Sequence, residues 1–162
     1  RVMVLMTWIL ALVLLTAFFN GWLEHQNNPN RDLKSTITDA GTREVTLLRN
    51  RYGHYVAPGS INGEAVTFLL DTGATNISVP ASVAERIGLK PMQPYRVSTA
   101  NGTITVHGTR IERLELGKIV LHDLRAHINP RMQGDEILLG MNVLKQLELV
   151  QRGNTLTLRQ YR

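Results

Sequence analysis

The chain has 162 residues, a formal net charge of +5 and no cysteine, which is room for one domain plus an appendage. Disulfides and cysteine-based metal or thiol chemistry are excluded. The basic residues are spread along the sequence, and Trp8, Phe18, Phe19 and Trp22, a large share of the few aromatics, lie at the N-terminus. Nucleic-acid binding is therefore not expected, because it needs a clustered basic face with stacking aromatics.

Residues 2–19 form an uncharged apolar run that Trp22 and Leu23 extend. Eighteen helical residues rise about 27 Å, close to the ~30 Å hydrocarbon thickness of a bilayer. A transmembrane anchor is predicted over 1–23, with the membrane as its partner through residues 2–23. The alternative is a secretory signal peptide, but Ala17-Phe18-Phe19-Asn20-Gly21 puts bulky side chains where a cleavage site wants small ones. Arg1 precedes the span and no Lys or Arg follows before Arg31. That asymmetry puts the N-terminus inside and exports the body. Residues 24–42 are polar, headed by Gln26-Asn27-Asn28-Pro29-Asn30, and lack a sustained apolar period. They read as a flexible linker, with one short helical turn over 34–39 as the alternative.

The body is expected over 43–162. Val45 and Leu47 alternate with polar neighbours, and Tyr52-Gly53 breaks the run. Residues 55–61 and 65–70 are strand-like, joined by Asn62-Gly63, a strong hairpin signal because both turn positions need positive φ. A strand over 77–80 is followed by a helix over 81–87 with Gly88 as its stop. Strands over 95–99 and 103–107 flank a second hairpin turn, Asn101-Gly102. Further strands are predicted over 111–116, 119–128 and 137–139. A helix over 142–147 and a last pair of strands around Gly153-Asn154 complete the chain. Many short, regularly spaced strands predict an all-β barrel or sandwich with one or two short helices.

Within this pattern one stretch stands out. The apolar strand Phe68-Leu69-Leu70 runs directly into Asp71-Thr72-Gly73-Ala74-Thr75. A carboxylate at the end of an apolar run is costly unless paired or hydrogen-bonded. The plain alternative is an Asp-Thr-Gly turn. Leu69-Leu70-Asp71-Thr72-Gly73-Ala74 resembles the active-site motif of the retropepsins, the retroviral-type (clan AA) aspartic proteases. Ile137-Leu138-Leu139-Gly140-Met141-Asn142-Val143-Leu144 resembles their second signature, and the Asn101-Gly102 hairpin lies between the two, where that family has its flap. With the N-terminal span, the whole resembles the bacterial membrane-anchored retropepsin-like proteases, which implies an acid-protease barrel in a bacterial inner membrane with a periplasmic body.

Peptide hydrolysis by paired carboxylates needs one ionised and one protonated Asp. This chain has a single Asp-Thr-Gly: Asp32 and Asp39 lie in the linker, and neither Asp123 nor Asp135 precedes Thr-Gly. The partner of Asp71 is therefore expected to be Asp71 of a second copy, and the resemblance likewise implies a homodimer. It also implies that Asp71 is catalytic, that Thr72, Gly73, Ala74, Thr75 and Gly140 support the active loop, and that Thr99, Ala100, Asn101, Gly102 and Thr103 form a flap over a peptide or protein substrate. The resemblance further places the strand at 155–158 in a sheet shared between subunits. Viral members carry Asp at the position of Thr75 and Arg at that of Met141, an ion pair absent here. No cofactor or metal is expected: His25, His54, His107, His122 and His127 are scattered, and Ser78 and Ser98 lie in no nucleophile motif. The function predicted is an aspartic endopeptidase. The alternative, a non-catalytic peptide-binding domain on the same fold, stays open because fold alone does not dictate activity.

Overall fold

A computed structural model describes residues 1–99 and 102–161. Helix α1 (Val2–Asn27) is apolar on all sides and none of its residues is buried. Its length and composition are sufficient to cross a membrane. At 1.5 Å per residue its 26 residues rise about 39 Å, about two turns longer than the apolar run of residues 2–19. The last turn is polar and tied to the body, where Asn50 Nδ2 donates to the Asn27 carbonyl at 3.0 Å.

The polar stretch that follows departs from the expected tether. Asn30 is buried. Its Nδ2 donates to Leu48 O (2.9 Å) and Val56 O (2.7 Å), and its Oδ1 accepts from Leu48 N (2.6 Å). Beyond it, strand β1 (Lys34–Ile37) pairs antiparallel with β2 (Arg43–Leu48). Composition conceals β1 because it is a sheet edge whose side chains stay mostly exposed, so no apolar alternation marks it. Its anchoring is polar: Ser35 Oγ accepts from Lys118 N at 2.7 Å and donates to Glu44 O at 3.1 Å.

The body is built from nine more strands and two short helices: β3 (Tyr55–Ile61), β4 (Glu64–Leu70), β5 (Ile77–Pro80), α2 (Ala81–Arg86), β6 (Pro94–Thr99), β7 (Gly102–Leu116), β8 (Ile119–Asn129), β9 (Glu136–Leu139), α3 (Met141–Leu144), β10 (Glu148–Arg152) and β11 (Thr155–Gln160). One sheet has the order β3-β4-β9-β5-β8-β7-β6, and an extra β3–β7 pairing closes it into a barrel. Closure requires Gly59, because a Cβ there would collide with the Glu115 carbonyl and the Phe68 ring. Phe68, Ile77, Ile111, Leu114, Ile137 and Leu139 fill the interior, each at most 1% exposed. The Asn62-Gly63 turn forms as expected, with both residues at positive φ.

Two further expectations are corrected. Residues 103–107 and 111–116 belong to the single strand β7, because Gly108 keeps its ladder to His127 on β8 and bonds to Met92 and Gln93 on the other side. The C-terminal strand β11 does not offer an edge to a second subunit: it lies between β2 and β10 of its own chain. Arg159 on it is likewise satisfied internally, by Glu44 (2.7 Å) and Glu148 (3.2 Å).

Candidate active site

Strands β4 and β9 run parallel and in register, Leu70 beside Leu139. Their apolar residues hold them in the core, so both chains leave the barrel at the same level and release two loops side by side. Asp71 is the first residue of one loop and Gly140 the first of the other. The Asp71 N–H donates to Leu139 O at 3.1 Å, and Ala74 N–H donates to Asp71 O at 3.2 Å. Gly73 N–H donates to the Asp71 carboxylate Oδ1 at 2.8 Å, which fixes the carboxylate's orientation from within its own turn. A Cβ on Gly73 would stand 3.1 Å from that same oxygen, so a bare backbone suits the position.

The two loops are joined by main chain. Met141 N donates to Ala74 O (2.8 Å) and Asn142 N to Thr75 O (2.9 Å). Gly140 is buried beneath them. A Cβ at Gly140 would lie 2.5 Å from Asn76 O and 2.7 Å from Ala74 O. The close approach of two backbones thus does the joining at the positions of Thr75 and Met141, where no charged side chains are present. Asn142 Nδ2 extends the connection by donating to Arg125 O on β8 at 2.7 Å.

Asp71 is partly exposed, and Thr72, Gly73 and Thr75 are exposed. The Asp71 carboxylate and Thr72 border a cavity of about 480 Å³ whose other walls include Arg49, His54 and Tyr55. Sequence reasoning missed these three. Arg49 lies over the Tyr55 ring (5.5 Å) and points one guanidinium nitrogen at its hydroxyl (3.4 Å). Arg49 and His54 come from the β2–β3 connection and Tyr55 opens β3; Tyr52-Gly53 signals a turn there, but nothing signals what the turn faces. No second acid lines this cavity. Within the chain Asp71 is therefore a single carboxylate.

The β6–β7 hairpin carries Thr99, Gly102 and Thr103 of the expected flap at its far end. Thr99 pairs with Gly102 and its hydroxyl donates to Gly102 O at 2.7 Å, with Ser98 paired to Thr103. Gly102 has φ +105. Ala100 and Asn101 lie outside the described residues. Among the described residues no group of three or more His, Asp or Glu side chains is placed to hold a metal. His127 is the buried histidine; burial pushes its pKa down, and the Tyr95 hydroxyl lies 3.4 Å from its Nδ1.

The comparisons agree with this geometry. Residues 57–146 match the family model described as "gag-polyprotein putative aspartyl protease". An uncharacterized protein of the cobV 5′ region of Sinorhizobium sp is 34% identical over 119 residues, 71% of this chain and 51% of the relative. The chain thus spans about half the length of that curated relative. Among solved structures, the retropepsin-like aspartic protease of Rickettsia conorii superposes with a TM-score of 0.62 at 24% identity, over 79% of this chain and 95% of that one; at that identity the likeness speaks for the fold. The family match takes in both loops, the hairpin between them and more than half of the sequence, and the chain belongs to the retropepsin-like aspartyl protease family.

Proposed function

We propose that the protein is an aspartic endopeptidase that works as a homodimer, with the Asp71 carboxylates of two copies facing each other across a two-fold axis. The observation that carries the reading is Asp71 itself: one oriented, partly exposed carboxylate at the mouth of the barrel, in a cavity with no second acid. Two carboxylates a few ångströms apart share one proton, because both cannot ionise cheaply. The ionised one takes a proton from water as it attacks the scissile carbonyl carbon. The protonated one gives its proton to the carbonyl oxygen. Thr72 supports the dimer reading: it is exposed at the loop's tip and its hydroxyl has no hydrogen-bond partner among the described residues, so it is open to the partner's loop. In this reading Gly73 admits the substrate backbone, Ala74, Thr75 and Gly140 hold the active loop, and Thr99, Gly102 and Thr103 of the β6–β7 hairpin lie over an extended peptide.

Helix α1 extends the proposal to location. Residues 2–23 anchor the protein in the bacterial inner membrane, and the lack of Lys or Arg between the span and Arg31, with Arg1 before it, favours a periplasmic body. Tethering two copies to one surface raises their effective concentration, so even a weak dimer assembles there. The test is cleavage of a peptide library by full-length protein in detergent, with Asp71→Asn beside it. Cleavage that the variant loses is the expected result. A cross-linked dimer that cleaves nothing would sink the enzyme reading and leave a peptide-binding domain.

A further inference from the structure

A second cavity, of about 580 Å³, lies over β7 and β8 beside Asn76, the residue that leads into β5. Strand parity assigns the side chains there. Ile77 and Val79 point into the core, so Asn76 and Ser78 take the other face of β5. Ser78 pairs with His127, His127 with Gly108, and Arg125 with Arg110, which puts all of them on that same face. Gly108 leaves the floor open, since a Cβ there would find its nearest neighbour only at 3.7 Å. The roof comes from Met92 and Tyr95 at the root of the β6–β7 hairpin.

The charge of this cavity's lining selects a ligand. Arg110 and Arg125 both line it and no acidic side chain does. Arg110 is engaged by Asp123 at 3.0 Å, whereas Arg125 has no ion-pair partner among the described residues. Ser78, on the same face of β5, does not itself line the cavity; it is 5% exposed and its Oγ has no hydrogen-bond partner among the described residues. The cavity also connects to the active loop: Asn76 closes that loop against Gly140 and lines the cavity, while Asn142 bonds both Thr75 and Arg125.

We propose that this cavity is a specificity subsite that takes the carboxylate side chain of an Asp or Glu in the substrate, a few residues to one side of the scissile bond, with Arg125 as its counter-charge. The proposal rests on the endopeptidase reading for its position along the peptide, but its chemistry, capture of a peptide carboxylate, does not. A guanidinium–carboxylate contact at a half-open site discriminates against a neutral residue by about tenfold.

The test uses full-length protein in detergent and one peptide series, carrying Glu, Gln or Lys at each position flanking the cleaved bond. Cleavage by the wild type is expected to favour Glu over Gln about tenfold at one position. Arg125→Gln is expected to bring that ratio near one, and Arg125→Glu to turn it toward Lys. A wild type that cleaves with no acidic preference, or a preference that both variants retain, overturns the proposal. Affinity of the labelled peptides for Asp71→Asn protein is measured in parallel, so a failure of catalysis is distinguishable. Glu-dependent binding lost in an Asp71→Asn/Arg125→Gln double variant supports the subsite even if no peptide is cut. Equal binding of the Glu and Gln peptides refutes it.

Discussion

Gly140 is the most exacting position in the site, and Gly140→Ala is the sharpest perturbation of it. The new methyl would lie 2.5 Å from Asn76 O, 2.7 Å from Ala74 O and 2.8 Å from Asn76 C, where ordinary contact begins at 3.4 Å. All three atoms are backbone, so no side chain can swing aside. One loop must retreat by roughly 0.9 Å, or the bonds from Met141 and Asn142 to the Asp71 loop must stretch by as much. Overpacking of this kind costs about 1–3 kcal/mol, which for a domain of this size lowers Tm by roughly 4–12 °C. If Asp71 acts as proposed, the effect on cleavage is expected to be larger, because misplacing a catalytic group by about 1 Å costs on the order of 10²-fold. Gly108→Ala is the comparator: its methyl meets nothing closer than 3.7 Å and its φ is not positive, so its Tm is expected within about 2 °C of wild type. Calorimetry of the three proteins, with peptide cleavage measured well below every Tm, separates the two effects. Gly140→Ala melting with the wild type, or cleaving at the wild-type rate, would show slack between the loops and refute the close fit.

Other outcomes follow from the same structure. Asn30→Ala removes three hydrogen bonds that join the stretch after α1 to β2 and β3, and it leaves buried main-chain groups unpaired; a loss of about 2–4 kcal/mol is expected by denaturant titration, and a loss under about 0.5 kcal/mol would mean that water replaces the amide. His127 has its folded-state pKa lowered by burial. Below about pH 6.5 the unfolded chain therefore binds the proton first, so stability falls as pH drops through that value and continues to fall until the folded histidine also protonates. His127→Gln should flatten this part of the Tm-against-pH curve, and an unchanged slope would assign it to other groups. Arg125 is exposed, so the acidic preference proposed for its cavity is expected to weaken between 0.05 and 0.5 M salt, as about threefold screening of an open ion pair implies; a salt-independent preference would point to shape rather than charge.

The loops of the candidate site were legible where backbone crowding had to be written into the chain. Gly73 and Gly140 sit where a close approach leaves few alternatives, Asp71 directly follows an apolar run, and the apolar runs before both loops announce buried strands. Asn62-Gly63 declared its turn for the same reason. What stayed hidden was tertiary. Strand β1 has no apolar face because it is an edge, so its pairing depends on β2 and on Asn30 rather than on its own pattern. Arg49 and His54 reach the Asp71 cavity only because the β2–β3 connection borders it. Arg125 and Arg110 read as dispersed surface charge, since nothing but strand register sets them side by side. The retention of β7 as one strand through Gly108 is similar: the glycine looks like a break until Met92 and Gln93 supply its bonds.

The placement of β11 has a consequence for the order of events during synthesis. Strand β2 emerges early, yet its main-chain partner arrives late: Arg43 pairs with Gln160, 117 positions on. Until Thr155–Gln160 is made, β2 has one unfilled edge and β10 has no neighbour within its sheet. The barrel, by contrast, contains the hairpins β3–β4, β6–β7 and β7–β8, which need only nearby residues. Barrel closure can thus precede completion of the small sheet, and long-range pairing of this kind is the slow part of folding. Any product that stops short of Thr155 would present a finished Asp71 loop on an unfinished body, with an open strand ready to recruit another chain.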